Sequence, residues 1–128
     1  MDATDLGPVF ERLRDELLTN SRVSSLFMGN PKHAYKDTGF FYEERHFLHF
    51  HPQPDGFQAD LRVIAGDRAE ILKDSHVQPH TLNVANETGW LLFNIKSDED
   101  SHAFIIVVHK IFESAETRQP AEFRQLQP

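Results

Sequence analysis

The feature that most constrains the fold is a two-residue hydrophobic period that begins at Ala34 and continues to residue 64. Side chains of a strand point alternately to opposite faces, so this period predicts β-strands rather than helices. The period is divided into three runs, at residues 39–42, 46–51 and 57–64. A charged Glu-Glu-Arg sequence and a Pro-Gln-Pro-Asp-Gly turn separate the runs, and Asp55-Gly56 is expected to supply a positive φ. We therefore predict an antiparallel meander of three strands.

Helical spacing of apolar residues occurs on both sides of this region. Residues 9–18 follow Pro8, which suits a first helical turn, and they present one apolar face. Towards the C-terminus, Ser97 is a capping residue and Asp100 lies three positions later, the spacing of a capping box. The stripe that follows it predicts a long helix packed on the sheet and consists of Phe104, Val108, Ile111 and Phe112.

The remaining segments carry weaker patterns. Residues 22–32 include a Gly-Asn-Pro sequence and predict a loop. Asp67 is expected to cap a short helix over residues 69–72. Residues 78–84 are expected to be extended because of their proline, and residues 89–95 to form a strand buried on both faces.

Together these elements predict an α+β fold. We expect an antiparallel β-meander sheet of about four to five strands, with the N-terminal and C-terminal helices packed on one face. The chain of 128 residues is expected to form one domain over residues 1–116, followed by a flexible polar tail over residues 117–128. The other face of the sheet is expected to carry polar residues together with His49 and His51.

Composition and charge narrow the classes of function. The chain has no cysteine, which excludes disulfides, thiolate nucleophiles and cysteine-based metal sites. An acidic N-terminus without an apolar stretch, and a longest apolar run of only residues 103–108, predict a cytoplasmic protein with no membrane partner. A formal net charge of −7 argues against a nucleic-acid partner. Neither a phosphate-binding glycine loop nor a nucleophile elbow occurs in the sequence.

Histidines form the main candidate site. His49 and His51 lie two residues apart on a predicted strand, so both side chains project from the same face. With His80 as a third ligand, and His76 close by, these imidazoles could hold zinc or nickel and leave a position open. The alternative is that the rings are half-buried and bonded to backbone or water, since no carboxylate is expected in register with them. On that alternative the protein has no metal cofactor.

Trp90 is the second candidate. It is the only tryptophan of the chain and stands at the start of a predicted strand, beside Gly89. It could stack against the ring of a ligand, and a core position is the alternative interpretation.

The order of these motifs resembles a known family. The motifs are residues 45–51, the Asp-Gly turn, the Pro79-His80 step, the Glu-Thr-Gly-Trp sequence up to Trp90 and the capped last helix. In these motifs the chain resembles the small bacterial luciferase domain, a family of unknown function. Members carry an acidic residue where this chain has His46. The resemblance covers about residues 9–115 and implies that His49, His51 and His80 belong to a shared small-molecule or metal site. A more distant similarity in element order, to the MmcQ/YjbR-like fold, concerns architecture alone.

Three functions are compatible with these observations. The first is a noncatalytic ligand-binding or protein-interaction module, in one arrangement a homodimer, that uses the His-bearing sheet face and Trp90. The second is a metal-dependent or His-assisted enzyme acting on a small molecule, which requires His49, His51 and His80 to converge. The third, a nucleic-acid-associated protein by analogy of fold, conflicts with the net charge.

Overall fold

The computed structural model of the protein describes residues 6–27, 38–64 and 68–117. Its helices are α1 (Leu6–Leu17), α2 (Arg68–Ile71), α3 (Asn83–Glu87) and α4 (Asp98–Thr117). Its strands are β1 (Val23–Phe27), β2 (Thr38–Tyr42), β3 (Arg45–Gln53), β4 (Gly56–Arg62), β5 (Val77–Pro79) and β6 (Trp90–Ile95). The cap predicted at Asp67 and the tail predicted beyond Thr117 lie outside the described residues. In the described part of the chain, no helix is long and apolar enough to cross a membrane.

The strands form one antiparallel sheet in the order β1-β2-β3-β4-β6-β5. The predicted α+β fold and meander are confirmed, and the sheet has six strands rather than four or five. The additional strand is β1, which lies within the predicted loop 22–32, so that prediction is wrong for residues 23–27. Of the β1 residues, Val23 is buried, whereas Ser24, Ser25 and Leu26 are exposed. An edge strand held by backbone pairing needs little apolar alternation, which explains why the sequence pattern did not reveal it.

Helices α1 and α4 cover one face of the sheet, which we call the covered face. Phe10 of α1 packs on Phe40 and Phe50, with ring centroids 6.2 and 6.0 Å apart. Phe112 of α4 packs on Tyr42 and Phe47. All four residues of the predicted α4 stripe are buried. The N-cap is also confirmed, since the Asp100 N–H donates to Ser97 Oγ at 3.1 Å.

A bulge in β3 decides which side chains reach the opposite, uncovered face, which we call the open face. Adjacent residues Phe40 and Phe41 of β2 pair with Leu48 and His46, so Phe47 has no partner of its own. Phe47 and Leu48 are consequently both fully buried. His46 therefore lies on the open face with His49, although the two are three residues apart.

The two hairpin turns differ from expectation. Gly56 and Asp55 both have negative φ, so the predicted positive φ at Asp55-Gly56 is wrong. Gly56 is required instead because a Cβ atom there would collide with the Ile95 carbonyl of β6. Positive φ occurs in the other hairpin, at Glu43 (47°) and Glu44 (72°).

The segment over residues 78–84 is only partly extended. Strand β5 ends at Pro79, and the chain turns into α3 at Asn83, so the predicted extension is wrong for residues 83 and 84. The bend is held by Asn86, whose side chain bonds both the N–H and the carbonyl of His80. This local bonding turns the His80 side chain towards β4.

Candidate functional site

The open face has a carboxylate at its centre. Asp60 of β4 lies opposite His49 of β3 in the sheet register, and its side chain is only 10% exposed. The Nε2 atoms of His49 and His51 each lie 2.7 Å from the same Asp60 oxygen, Oδ2. The Nε2 atom of His80 lies 3.2 Å from the other oxygen, Oδ1. We call these four residues the His–Asp cluster.

His80 has a defined role within the cluster. Its Nδ1 accepts the backbone N–H of Leu82 at 3.0 Å, so this nitrogen carries no proton. The ring proton is therefore on Nε2, which lies 3.2 Å from Asp60 Oδ1 and faces it as the donor. His80 thus fixes the orientation of the carboxylate and leaves Oδ2 for His49 and His51.

Electrostatics keep Asp60 ionised. Burial alone raises the pKa of its carboxyl, but hydrogen bonds from His49 and His51 outweigh burial and lower the pKa to about 2. Not every imidazole nitrogen is satisfied, because His49 Nδ1 is buried and makes no hydrogen bond with the described residues. The cluster therefore combines an anion, ionised at neutral pH, with imidazoles on both of its oxygens.

An aromatic group adjoins the cluster on the open face. The His46 ring lies 5.1 Å from each of the His49 and Trp90 rings and 5.2 Å from that of Phe41. Trp90 is partly exposed and also lies 5.7 Å from His49. Burial lowers the pKa of His46, and the neighbouring His49 lowers it further. The alternative interpretation of Trp90 as a core residue is wrong, since its indole is partly exposed on the open face.

Arg62 lies beside Trp90 on the open face. It pairs with Trp90 in the sheet register, and its guanidinium carbon lies 5.9 Å from the centre of the indole ring. Its Nε donates to the Thr88 carbonyl at 2.8 Å. Burial lowers the pKa of Arg62, and the charge of Arg45 lowers it further. Among the described residues, Arg62 forms no ion pair.

A groove of about 530 Å³ lies over the His–Asp cluster. Besides the cluster itself, its walls include the amides of Gln53 and Gln58 and the side chains of Leu82 and Leu92. Leu82 is 64% exposed at the rim. The groove gives His51, whose side chain is 45% exposed, direct access from solvent.

The structure brings most of the predicted site residues together. His49, His51 and His80 converge on one carboxylate, and Trp90 lies beside His49. The expectation that no carboxylate stands in register is wrong, because Asp60 pairs directly with His49.

His76 does not join the cluster. It precedes Val77, which is buried, and its ring stacks on Phe93 of the covered face with centroids 5.4 Å apart and planes inclined by 6°. Its Nδ1 lies 2.8 Å from Asp74. The hypothesis of four converging imidazoles is therefore wrong for His76.

The donor atoms of the cluster fit a divalent transition metal. One ligand atom from each of His49, His51 and Asp60 lies within 4.8 Å of the other two. Two imidazoles and one carboxylate form a donor set used for zinc, nickel and non-haem iron. Bonds of about 2.0–2.2 Å to one tetrahedral ion place neighbouring donors roughly 3.3–3.6 Å apart, so the 2.7 Å contacts to Asp60 Oδ2 need open by less than about 1 Å. Asp60, rather than His80, is the third donor of this set.

Sequence reasoning missed Asp60, His46, Arg62 and Asn86. Asp60 could have been found by counting equal steps along both strands from the two-residue turn between Gln53 and Gly56. His46 could not, because the bulge at Phe47 reverses the alternation. Asn86 acts through backbone contacts that no spacing rule encodes.

Comparison with known proteins places the chain in a family. No curated protein and no solved structure gives a significant match. The profile of the luciferase domain matches residues 44–109, slightly more than half of the chain. The matched segment contains the entire His–Asp cluster, Arg62 and Trp90. The chain belongs to the luciferase domain family.

Proposed function

We propose that the protein is a noncatalytic ligand-binding module that binds a divalent transition-metal ion on the open face of its sheet. His49 Nε2, His51 Nε2 and Asp60 Oδ2 are the ligand atoms. The observation that carries the proposal is that two imidazole nitrogens lie 2.7 Å from one oxygen of a buried carboxylate. Such a donor set favours zinc or nickel over calcium or magnesium, which prefer oxygen ligands.

His80 supports this function as a positioning residue. Its tautomer is fixed by the Leu82 N–H, and it donates to the Asp60 oxygen that does not face His49 and His51. Hydrogen bonds of this kind to a ligating carboxylate typically change metal affinity by about 10- to 100-fold. We therefore expect His80→Gln to weaken binding without changing its stoichiometry.

The test is a titration of protein without a His tag, freed of metal with EDTA, with zinc and with nickel. Calorimetry gives the stoichiometry, and fluorescence of Trp90 reports nickel, since the indole lies beside His49. We expect one ion per chain at micromolar metal, lost in Asp60→Asn and in His49→Gln. His102→Gln, at an exposed histidine of α4, is the matched control and should bind as the wild type does.

Unchanged binding by Asp60→Asn would overturn the proposal. So would loss of binding in His102→Gln, because it would indicate scattered surface histidines rather than the cluster. Absence of binding in the wild type at micromolar metal would leave a small molecule or a protein, including a second copy of this chain, as the partner of the open face.

A metal-dependent or His-assisted enzyme is the second candidate. It is favoured by the pairing of His51 with Asp60, since a carboxylate that orients a solvent-accessible imidazole supports general-base catalysis. Hydrolysis of activated esters and phosphoesters by zinc-loaded protein, abolished in His51→Gln, would favour this candidate. Rates equal to those of free zinc would exclude it for these substrates.

A further inference from the structure

Arg62 lies beside Trp90 on the open face, and metal binding at the His–Asp cluster does not explain its environment. Arg62 is partly buried, and within the described residues it has no carboxylate partner. A buried or half-buried cation is costly unless an anion compensates for it. The charge of the chain makes this more notable, since its 20 acidic residues outnumber 13 basic ones.

Among the residues that the structure describes, the strands offer Arg62 no free carboxylate. Among the strand residues of the open face, Asp60 is the only carboxylate, and both of its oxygens are bonded by the imidazoles of the cluster. Arg62 contacts the Trp90 indole and the Thr88 carbonyl, and the positive charge of Arg45 acts on it. The compensating anion is therefore not supplied by these neighbours.

The geometry of Arg62 suits an external anion. Its Nε is bonded to the Thr88 carbonyl, which anchors the side chain and leaves the terminal Nη groups as donors. Arginine binds carboxylate and phosphate with two parallel hydrogen bonds through such groups. The partly exposed Trp90 beside it offers a flat apolar surface.

We infer that Arg62 and Trp90 form a second binding site, for a small organic molecule that carries an anionic head on an aromatic ring. Arg62 binds the carboxylate or phosphate, and Trp90 contacts the ring. The site is separate from the proposed metal site, and binding does not require the ion. Asp60 and Arg62 are two residues apart on one strand, roughly 7 Å along it, so one elongated ligand could contact both sites.

The test uses EDTA-treated protein and the fluorescence of Trp90, the only tryptophan of the chain. The probes are phenyl phosphate and benzoate, with benzyl alcohol as the neutral control. We expect saturable changes with the two anions and none with benzyl alcohol. The anion that binds with the higher affinity shows whether the site prefers a phosphate or a carboxylate head group.

Variants of Arg62 then test whether its side chain binds the anionic head group. Arg62→Gln should weaken phenyl phosphate binding by about tenfold, the effect of losing one charge-assisted interaction. Arg62→Lys keeps the charge but loses the paired donors, so it should bind with intermediate affinity. Arg12→Gln, at an exposed arginine of α1, is the control and should match the wild type.

Three results would overturn this inference. One is benzyl alcohol binding as well as phenyl phosphate, another is wild-type affinity in Arg62→Gln, and the third is no saturation below about 10 mM probe. If Arg62→Gln does not fold, competition by inorganic phosphate on the wild type replaces it: displacement of phenyl phosphate supports the anion site and its absence refutes it. Because the protein is free of metal, failure of the metal proposal leaves these outcomes unchanged.

Discussion

The covered and open faces of the sheet are built from alternate residues of the same strands, yet they use aromatic rings in opposite ways. On the covered face, Phe50 is fully buried and packs edge-on against Phe10 and Phe40. On the open face, the rings of His46 and Trp90 are partly exposed. Phenylalanine rings have no polar atom to satisfy, whereas each imidazole brings nitrogens that need partners.

This difference separates the face that carries most of the stability from the face that carries the candidate site. The covered face removes apolar area from water and contributes most of the hydrophobic stabilisation. The open face keeps a buried anion at Asp60 and a buried His46 nitrogen with no hydrogen bond among the described residues. The unbonded His46 nitrogen costs stability unless a ligand compensates for it, whereas the Asp60 anion is already compensated by the imidazoles of the cluster. We therefore expect substitutions on the two faces to have separable effects.

The largest expected effect is on the covered face. Phe50→Ala removes a fully buried ring in contact with Phe10, Phe40, Phe57 and Phe104. We expect the free energy of unfolding to fall by about 3–5 kcal/mol, the usual cost of a cavity of this size. Urea denaturation followed by circular dichroism measures it.

The neighbouring residue provides the matched control. His51→Ala lies next to Phe50 on the same strand but faces the groove, so it should cost only about 1.5–2 kcal/mol, the loss of one hydrogen bond to the Asp60 carboxylate. It should instead abolish metal binding. Equal losses of stability in the two variants would mean that the open face contributes to the core as much as the covered face does.

Asp60→Asn should have an intermediate effect that depends on pH. The folded pKa of about 2 lies below the unfolded value near 3.9, so ionised Asp60 stabilises the fold at pH above about 4. That stability is lost as the pH falls towards about 2. In EDTA, we expect Asp60→Asn to lose about 2 kcal/mol at pH 7 and to unfold with a shallower dependence between pH 4 and pH 2.

Denaturation at several pH values checks this prediction. Asp15→Asn, at an exposed carboxylate of α1, should follow the wild-type curve. Parallel curves for Asp60→Asn and the wild type below pH 4 would show that the His–Asp cluster does not hold the anion as tightly as its geometry indicates.

The sequence was sufficient for the covered face. Its α4 stripe, the α1 spacing and the period of two in β3 and β4 follow from burial, which repeats along each element. Strand β1 was missed because it is an edge strand in which only Val23 among the placed side chains is buried. The fold class did not depend on that strand, since the meander and the two helices already define the two layers.

The sequence was less informative for the open face. Alternation placed His49 and His51 together, but the contact of His80 with Asp60 depends on a bend held by Asn86. The bulge at Phe47 brings His46 to the open face against the alternation. Long-range register and local irregularity determine this face, and neither leaves a periodic signal.

The smallest expected effect concerns the hairpin that sets this register and belongs to neither face. Glu43 and Glu44 both have positive φ, a type of turn in which glycine is preferred at the second position. A left-handed conformation costs a residue with a side chain about 1–2 kcal/mol, part of which glycine loses again through its greater freedom in the unfolded chain. We expect Glu44→Gly to raise the free energy of unfolding by about 0.5–1 kcal/mol.

Urea denaturation of Glu44→Gly measures this change in the free energy of unfolding, and Glu113→Gly is the control variant. Glu113 lies within α4, where glycine should instead lower stability by about 1 kcal/mol. Metal and phenyl phosphate affinities should stay at the wild-type value in Glu44→Gly, because the turn touches neither the His–Asp cluster nor Arg62. A stabilised turn with weakened binding would mean that the bulge at Phe47 shifts with the turn, and that the strained Glu44 is what holds His46 on the open face.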